Sequence, residues 1–225
     1  MPFVVVVTGL VAEAHVADLP PGRTIAGGAD PIRLEAELSR AIADGAEAVL
    51  SFGLAAGLEA GRAAGTVVIP AEVVSGNDRY ATDPRWSARM RAALGNADRR
   101  PVAGVAAPLI RPADKVQLHN ATGAVAADME SHGVARLALL ARRPFAVLRV
   151  ISDPAERGLP PAAAVGMRPD GRINLAAVLA SLLRYPGQLP DLARVAAEAR
   201  TAMRVLGQCR RVLGPDLGWE PIVPV

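Results

Sequence analysis

A run of four valines close to the start of the chain limits its possible folds more than any other feature. Residues 4–7 are all valine, and the run ends in Thr8-Gly9. Strands that are apolar at every position, rather than at alternate positions, are buried on both faces, as the central strands of parallel sheets are. The run therefore predicts a strand at the centre of a mostly parallel α/β sheet.

The remaining apolar runs alternate with helical stretches, which is typical of one α/β domain, here predicted over residues 1–225. Strand-like runs cover residues 46–50, 66–69, 101–110, 123–127 and 145–151, and a helix is predicted over 129–141. An amphipathic helix begins at Asp30-Pro31, and another apolar stripe runs from Leu192 to Leu206. Residues 154–169 are dense in Pro and Gly and predict a loop.

The composition of the chain excludes several classes of protein. Hydrophobic residues make up 51% and charged residues 21%, which describes a folded protein. The net charge of +3 is too small and too dispersed for a nucleic-acid partner. One cysteine, Cys209, excludes a disulfide framework and a cysteine-based zinc site, and no other metal site is predicted. Because no signal peptide or span of ~20 apolar residues is present, we expect a cytoplasmic protein.

Candidate site residues follow the predicted strands, because ligands of such sheets bind beyond the carboxyl ends of the strands. Residues 51–57 have the sequence Ser-Phe-Gly-Leu-Ala-Ala-Gly. A turn of small residues lets backbone N–H groups approach an anion or a sugar oxygen closely. An ordinary strand-to-helix turn explains the same spacing equally well.

Two carboxylates flank a methionine at Asp128-Met129-Glu130, directly after a predicted strand. A carboxylate at a strand end can accept both hydrogen bonds of a vicinal diol such as that of ribose. Acidic residues also favour the first turn of a helix, and on spacing alone this second interpretation is favoured.

The last predicted strand leads into Ser152-Asp153-Pro154. A partly buried aspartate can hold a proton at neutral pH and act as a general acid. A turn before Pro154 accounts for the same residues equally well. Lys115 has no neighbour in the sequence that supports a role as a catalytic amine.

In this order and at these separations, the strand ends resemble the purine nucleoside phosphorylase and nucleosidase superfamily, which includes the methylthioadenosine/adenosylhomocysteine nucleosidases. The matching segments are residues 8–9, 53–57, 67–70, 127–131 and 151–153, of which Asp-Met-Glu and Ser-Asp are the most specific. A narrower resemblance, to the hopanoid-associated phosphorylase branch, rests on Asp170-Gly171-Arg172 and Leu182-Leu183-Arg184-Tyr185-Pro186.

The resemblance implies a three-layer αβα sandwich with a central mixed, mostly parallel sheet. It also implies a homo-oligomer that cleaves the N-glycosidic bond of an adenine nucleoside without a metal or an organic cofactor. It assigns the ribose hydroxyls to Glu130 and the purine N7 proton to Asp153. The other substrate-binding residues that it implies are Met129, Asp128, Ser152, Gly53, Leu54, Ala55 and Gly9.

The nucleophile is left undecided between water and phosphate as a co-substrate. The nucleosidases have a catalytic glutamate five residues after the first-strand glycine, where this chain has Ala14. The adjacent Glu13 either takes that role through a shifted backbone or lies on the helix surface. Phosphorylases carry Gly-Asp-Pro and an arginine near the first strand, whereas the first arginine here is Arg23. Leu54 replaces a hydroxyl that is usual in the nucleosidases.

The branch resemblance implies that the substrate is adenosylhopane and that adenine is released in hopanoid biosynthesis. An apolar substrate suits an apolar pocket or peripheral membrane contact at the arginine-rich C-terminal helix. Packing of that helix on the sheet, with its arginines in solvent, is the favoured interpretation. The alternative functions are a methylthioadenosine/adenosylhomocysteine nucleosidase and a non-catalytic nucleoside-binding protein, the latter supported by Ala14 and Leu54.

Overall fold

The computed structural model describes residues 3–20, 22–27, 30–160, 174, 180–181 and 183–221. Asp170-Gly171-Arg172, Leu182 and residues 161–169 of the predicted loop lie outside the described residues. No helix within the described ranges is both long and apolar enough to cross a membrane. In chain order the described elements are β1 (Phe3–Thr8), α1 (Val11–Ala17), β2 (Thr24–Ala26), α2 (Pro31–Ala43), β3 (Ala46–Gly57), β4 (Val67–Val68), β5 (Glu72–Ser75), β6 (Asp78–Ala81), α3 (Pro84–Leu94), β7 (Val102–Gly104), α4 (Pro112–Thr122), β8 (Ala126–Asp128), α5 (Ser131–Leu140), β9 (Phe145–Asp153), a 3₁₀ turn (Pro186–Gln188) and α6 (Leu189–Leu213).

The strands form one mixed sheet with the order β2-β1-β3-β8-β7-β5-β6, and β9 pairs with β3 and β4 beside this path. β1 runs parallel to β2 and β3, β3 runs parallel to β9, and β7 runs parallel to β5 and β8. Antiparallel pairing joins β3 to β8, β4 to β9 and β5 to β6. The predicted mixed, mostly parallel sheet is therefore confirmed.

Alternate residues of the central strands face two different layers of helices. Val6 belongs to an apolar cluster that includes Leu206 of α6. Val7 belongs to a second cluster, on the opposite face, that includes Leu38 of α2. All four valines of the run are at most 6% exposed. The buried central strand and the αβα layers are both confirmed.

Two helices begin with the same Asp-Pro signal. The Asp30 carboxylate accepts hydrogen bonds from the backbone N–H groups of Ile32 and Arg33, and a proline lies in the first turn of α2. Asp83 caps α3 in the same way, with Pro84 in its first turn. An acidic cap satisfies backbone donors that have no partner within the helix, and proline needs none. The predicted start of α2 is confirmed.

Pairing between strands corrects two of the predicted boundaries. The turn predicted at residues 51–57 is the second half of β3, because residues 49–56 pair with β9 and residues 56–57 pair with β8. Small residues stay extended when neighbouring strands satisfy their backbone groups. The strand predicted over 101–110 is limited to Val102–Gly104, since its partner β8 ends at Asp128. The antiparallel hairpin of β5 and β6 was not predicted.

Candidate active site

Strands β3, β8 and β9 and the turn after β1 meet around one buried arginine, Arg149, which lies in an otherwise apolar strand. Its Nε donates to Asp128 Oδ2 at 2.9 Å, and its Nη2 donates to the hydroxyls of Ser51 at 2.6 Å and Ser131 at 3.2 Å. Nη2 also lies 3.5 Å from Glu130 Oε2. Arg149 thus connects two of the predicted site residues, Asp128 and Glu130.

The third nitrogen of this guanidinium, Arg149 Nη1, is buried and has no hydrogen-bond partner among the described residues. A Cβ placed on Gly53 would lie 2.7 Å from Nη1 and 2.8 Å from the Glu13 carboxylate. Any side chain at residue 53 would therefore collide with both groups. Glycine lets the guanidinium and the carboxylate pack closely against the backbone of β3. A buried donor without a partner is a feature that a bound small polar molecule would explain.

The Glu13 carboxylate is turned into the site and is not on the surface of α1. Its Oε2 accepts hydrogen bonds from the N–H groups of Gly9 at 2.9 Å and Leu10 at 2.8 Å, and its Oε1 accepts one from Leu54 at 2.8 Å. Burial raises the pKa of Glu13, whereas Arg149 and the three backbone donors lower it. Glu13 is therefore fixed in orientation, and its burial favours uptake of a proton.

Glu130 is buried against Gly9, where an added Cβ would lie 2.7 Å from Glu130 Oε1. Burial raises the pKa of Glu130 to about 8, Arg149 lowers it, and the nearby carboxylates of Asp128 and Glu13 raise it further. Three carboxylates therefore surround one guanidinium. Such a cluster favours positive charge, which a proton or a cationic reaction centre can supply.

Asp128 has its carboxylate fully engaged within the protein. Its Oδ1 accepts hydrogen bonds from the N–H groups of Glu130 at 2.8 Å and Ser131 at 2.6 Å. Its Oδ2 accepts from the Ser131 hydroxyl at 2.6 Å and from Arg149. The helix-start interpretation thus describes Asp128, whereas the Glu130 side chain makes no cap hydrogen bond to α5.

Asp153 ends β9 and is held through both of its carboxylate oxygens. The Ser152 hydroxyl donates to Oδ1 at 2.7 Å, and the Lys115 ammonium donates to Oδ2 at 2.6 Å. Ser152 also contacts the Ala55 carbonyl at 3.3 Å. Burial raises the pKa of Asp153, while Lys115 and Ser152 lower it. Lys115, for which the sequence suggested no partner, is therefore the counter-ion of Asp153.

Met129 is half-buried and lines an open cleft of about 260 Å³ between α2 and α5. Ile32, at the edge of this cleft, is 82% exposed. Within the described residues, no group of three or more His, Cys, Asp or Glu side chains is arranged to hold a metal ion. The remaining residues that line the cleft are mainly apolar, namely Pro31, Leu34, Glu35, Ala106, His132, Gly133, Arg136 and Leu137.

Four members of the site received no role from the sequence, namely Arg149, Lys115, Ser51 and Ser131, although the two serines lie within candidate segments. A charged residue inside an apolar strand must be paired, so Arg149 in the run 145–151 was an available signal. Lys115 is the one lysine among 25 basic residues, which was a second signal. The two serines carry no comparable signal.

The model of one family, the Phosphorylase superfamily, matches residues 28–184. A search of curated protein sequences gives no match. Among solved structures, a mutant of the Helicobacter pylori 5′-methylthioadenosine/S-adenosylhomocysteine nucleosidase, with 5′-methylthioadenosine in its active site, is 13% identical to this chain with a TM-score of 0.64. The match covers 92% of this chain and 97% of that one.

Two further solved structures have a similar fold. The 5′-methylthioadenosine/S-adenosylhomocysteine nucleosidase of Neisseria meningitidis, in complex with methylthio-immucillin-A, is 15% identical with a TM-score of 0.63, over 93% of this chain and 98% of that one. A mutant futalosine hydrolase of Helicobacter pylori is 15% identical with a TM-score of 0.58, over 68% and 90%. At these identities the similarity concerns the fold.

Proposed function

Because the chain belongs to the Phosphorylase superfamily, we propose that it is a purine nucleosidase that hydrolyses the N-glycosidic bond of an adenine nucleoside. The observation that carries the proposal is the pair of groups beside Gly53. The unpartnered Arg149 Nη1 and the Glu13 carboxylate both lie against Gly53. A water molecule there would accept a hydrogen bond from Arg149 and donate one to Glu13.

Glu13 acts as the general base in this mechanism. As the bond between ribose C1′ and purine N9 breaks, its electron pair leaves with the purine, and the water oxygen bonds to C1′. Glu13 takes a proton from that water, and a raised pKa makes the carboxylate a stronger base. Glu13 thus takes the role for which the resemblance indicated position 14.

The charge of the site favours water over phosphate. A phosphate dianion beside Arg149 would also lie close to the carboxylates of Glu13, Asp128 and Glu130, which interact electrostatically with the same guanidinium. Like charges at such separations repel strongly in a buried site. The guanidinium already pairs with the Asp128 carboxylate, so it does not also compensate the two charges of a phosphate.

Glu130 is the ribose anchor of the proposed mechanism. The sugar becomes positively charged, like an oxocarbenium ion, as the glycosidic bond breaks, and a carboxylate that accepts its hydroxyl hydrogens stabilises that charge. Ionisation of Glu130, which burial opposes in the free protein, is favoured as the cationic sugar forms. Asp128 has a positioning role, because it orients the backbone of Glu130.

Asp153 provides the acid that the leaving purine requires. A purine leaves as an anion unless N7 receives a proton, and a positioned acid accelerates such a step by roughly 10²–10⁴-fold. Burial raises the pKa of Asp153, which favours the protonated form that can act as the acid. Ser152 orients this carboxyl through its hydrogen bond to Oδ1.

The cleft beside Met129 supports an apolar substituent on ribose C5′. Together with the resemblance to the hopanoid-associated branch, this makes adenosylhopane our proposed substrate. A polycyclic tail extends beyond a cleft of about 260 Å³ and would lie along the exposed Ile32 side chain. Such a tail also accounts for the proposed contact with a membrane surface. A homo-oligomer and a cytoplasmic location are further parts of the proposal.

The test is a substrate panel assayed with and without phosphate. Adenosylhopane, methylthioadenosine and S-adenosylhomocysteine are incubated with the protein, and adenine and the sugar product are separated by chromatography. We expect adenine and a free sugar at a rate that phosphate does not change. Glu13→Gln should abolish release, while Glu37→Gln, whose side chain is 40% exposed on α2, should not. Release only with phosphate, or no release, contradicts the proposal.

A second candidate, a methylthioadenosine/S-adenosylhomocysteine nucleosidase, is supported by the fold of the neighbours. The nucleosidase structures match more than 90% of this chain and of their own length. The same panel separates the candidates, because this function predicts the highest kcat/KM for methylthioadenosine. The third candidate, a non-catalytic protein, predicts tight adenosine binding without adenine release.

A further inference from the structure

The proposed acid, Asp153, forms an ion pair with Lys115, and this lysine has no role in the chemistry described above. Lys115 lies on α4, and its side chain is fully buried. Its ammonium donates to Asp153 Oδ2 at 2.6 Å, to the Pro154 carbonyl at 3.0 Å and to the Arg157 carbonyl at 3.0 Å. The lysine therefore joins α4 both to the proposed acid and to the turn that follows β9.

The three acceptors match the chemistry of a lysine and not that of an arginine. An ammonium has three N–H donors, and each has one acceptor here. Lys115 consequently has no proton to offer a substrate and no free electron pair for a Schiff base. The planar guanidinium of an arginine cannot direct three hydrogens from one nitrogen to these acceptors. This explains a lysine at residue 115 in a chain whose other basic residues are arginines.

Asp153 is therefore oriented from two sides. Ser152 holds Oδ1 from β9, and Lys115 holds Oδ2 from α4. The other charged groups near the pair are Glu156 and Arg157 on the turn, and the Arg157 side chain pairs with Glu198 of α6. Among these charges, the Lys115 ammonium is the one that donates directly to Asp153.

We propose that Lys115 is the positioning residue of Asp153, holding its carboxyl group and the following turn in the orientation in which Asp153 meets purine N7. This inference rests on the proposed function for the identity of the ligand. Lys115 also has an electrostatic effect, because burial raises the pKa of Asp153 and the ammonium lowers it. Lys115 thereby lowers the pH above which Asp153 loses its proton and can no longer act as the acid.

The test replaces the ammonium by neutral groups in Lys115→Met and Lys115→Gln. We expect kcat to fall about 10- to 100-fold through misorientation of the acid, with KM changed less than kcat. We also expect the alkaline limb of the kcat profile to move to higher pH, because a carboxyl without its cation loses its proton later. Lys115→Arg should not restore kcat. Gln117→Ala, an exposed position on the same helix, is the matched control and should behave as wild type.

The ¹³C resonance of the Asp153 carboxyl, assigned with Asp153→Asn, gives a second readout that needs no turnover. We expect a higher pKa in Lys115→Gln than in wild type, and an equal pKa overturns the inference. An unchanged kcat, or a lower kcat with an unmoved alkaline limb, also overturns it. If Lys115→Met does not fold, Lys115→Gln, which retains N–H donors, carries the test. If the wild type releases no base, the proposed function fails, and the titration still decides the role of Lys115.

Discussion

Removal of the buried guanidinium in Arg149→Met should destabilise the fold more than any substitution of a surface arginine. Arg149 donates to Asp128, Ser51 and Ser131, and lies 3.5 Å from Glu130. Its loss leaves buried carboxylates without their cation, which typically costs about 3–5 kcal/mol. We expect the lower half of that range near neutral pH, because buried carboxylates can take up protons instead of remaining charged.

The assay is urea unfolding followed by tryptophan fluorescence, since Trp86 and Trp219 are both buried. The m-value should be unchanged, so that the midpoint reports stability. Loss of the cation raises the pKa values of the carboxylates in the folded state. The deficit of Arg149→Met is therefore largest at high pH and becomes smaller as the pH falls and these groups bind protons.

Arg136→Met is the matched control. Arg136 pairs with Glu35 on the surface, where the two side chains are 49% and 52% exposed. An exposed pair contributes at most about 1 kcal/mol. If Arg149→Met loses no more stability than Arg136→Met, or if its deficit is independent of pH, the guanidinium does not hold the carboxylate cluster together.

Three further predictions concern single residues. Burial raises the pKa of Glu130 from 4.5 to about 8, so this group contributes its full stabilisation of the fold below pH 4.5 and loses it as the pH rises through 8. In urea unfolding from pH 4 to 9, the stability of Glu130→Gln should lack this pH dependence. Gly53→Ala should cost about 1–3 kcal/mol, because its Cβ overlaps Arg149 Nη1, whereas Gly187→Ala has open space and should unfold at the wild-type urea midpoint. Burial raises the pKa of Cys209 to about 11, so a disulfide reagent should modify this thiol in urea but not in the folded protein, and rapid modification under native conditions would contradict its burial.

The central strands were predictable because their signal is local. The valine run, the strand that leads into Asp153 and the Asp-Pro start of α2 each depend on adjacent residues. The course of residues 51–57 was not predictable in the same way. These small residues are extended because β9 and β8 pair with them, and both partners are distant in sequence.

The site shows the same division between local and distant signals. Asp153 and Glu130 could be predicted as site residues from the strand ends together with the family resemblance, but the groups that hold them could not. Lys115 meets Asp153 across 38 residues, and Arg149 meets Ser51 across 98. No local pattern encodes such contacts. If α1 began one residue earlier or later, a different residue would face the interior of the protein. The sequence therefore does not decide whether Glu13 is buried, and the structure shows that it is 2% exposed.

The rate of adenine release by Asp153→Asn, relative to wild type, shows whether Asp153 is the acid that protonates the leaving purine. Asparagine preserves the size of the side chain and its contact with Lys115, but it cannot give a proton to purine N7. We predict adenine release by the wild type from an adenine nucleoside, and a rate roughly 10²–10⁴-fold lower for Asp153→Asn. Release by Asp153→Asn at the wild-type rate would contradict the assignment of Asp153 as the acid.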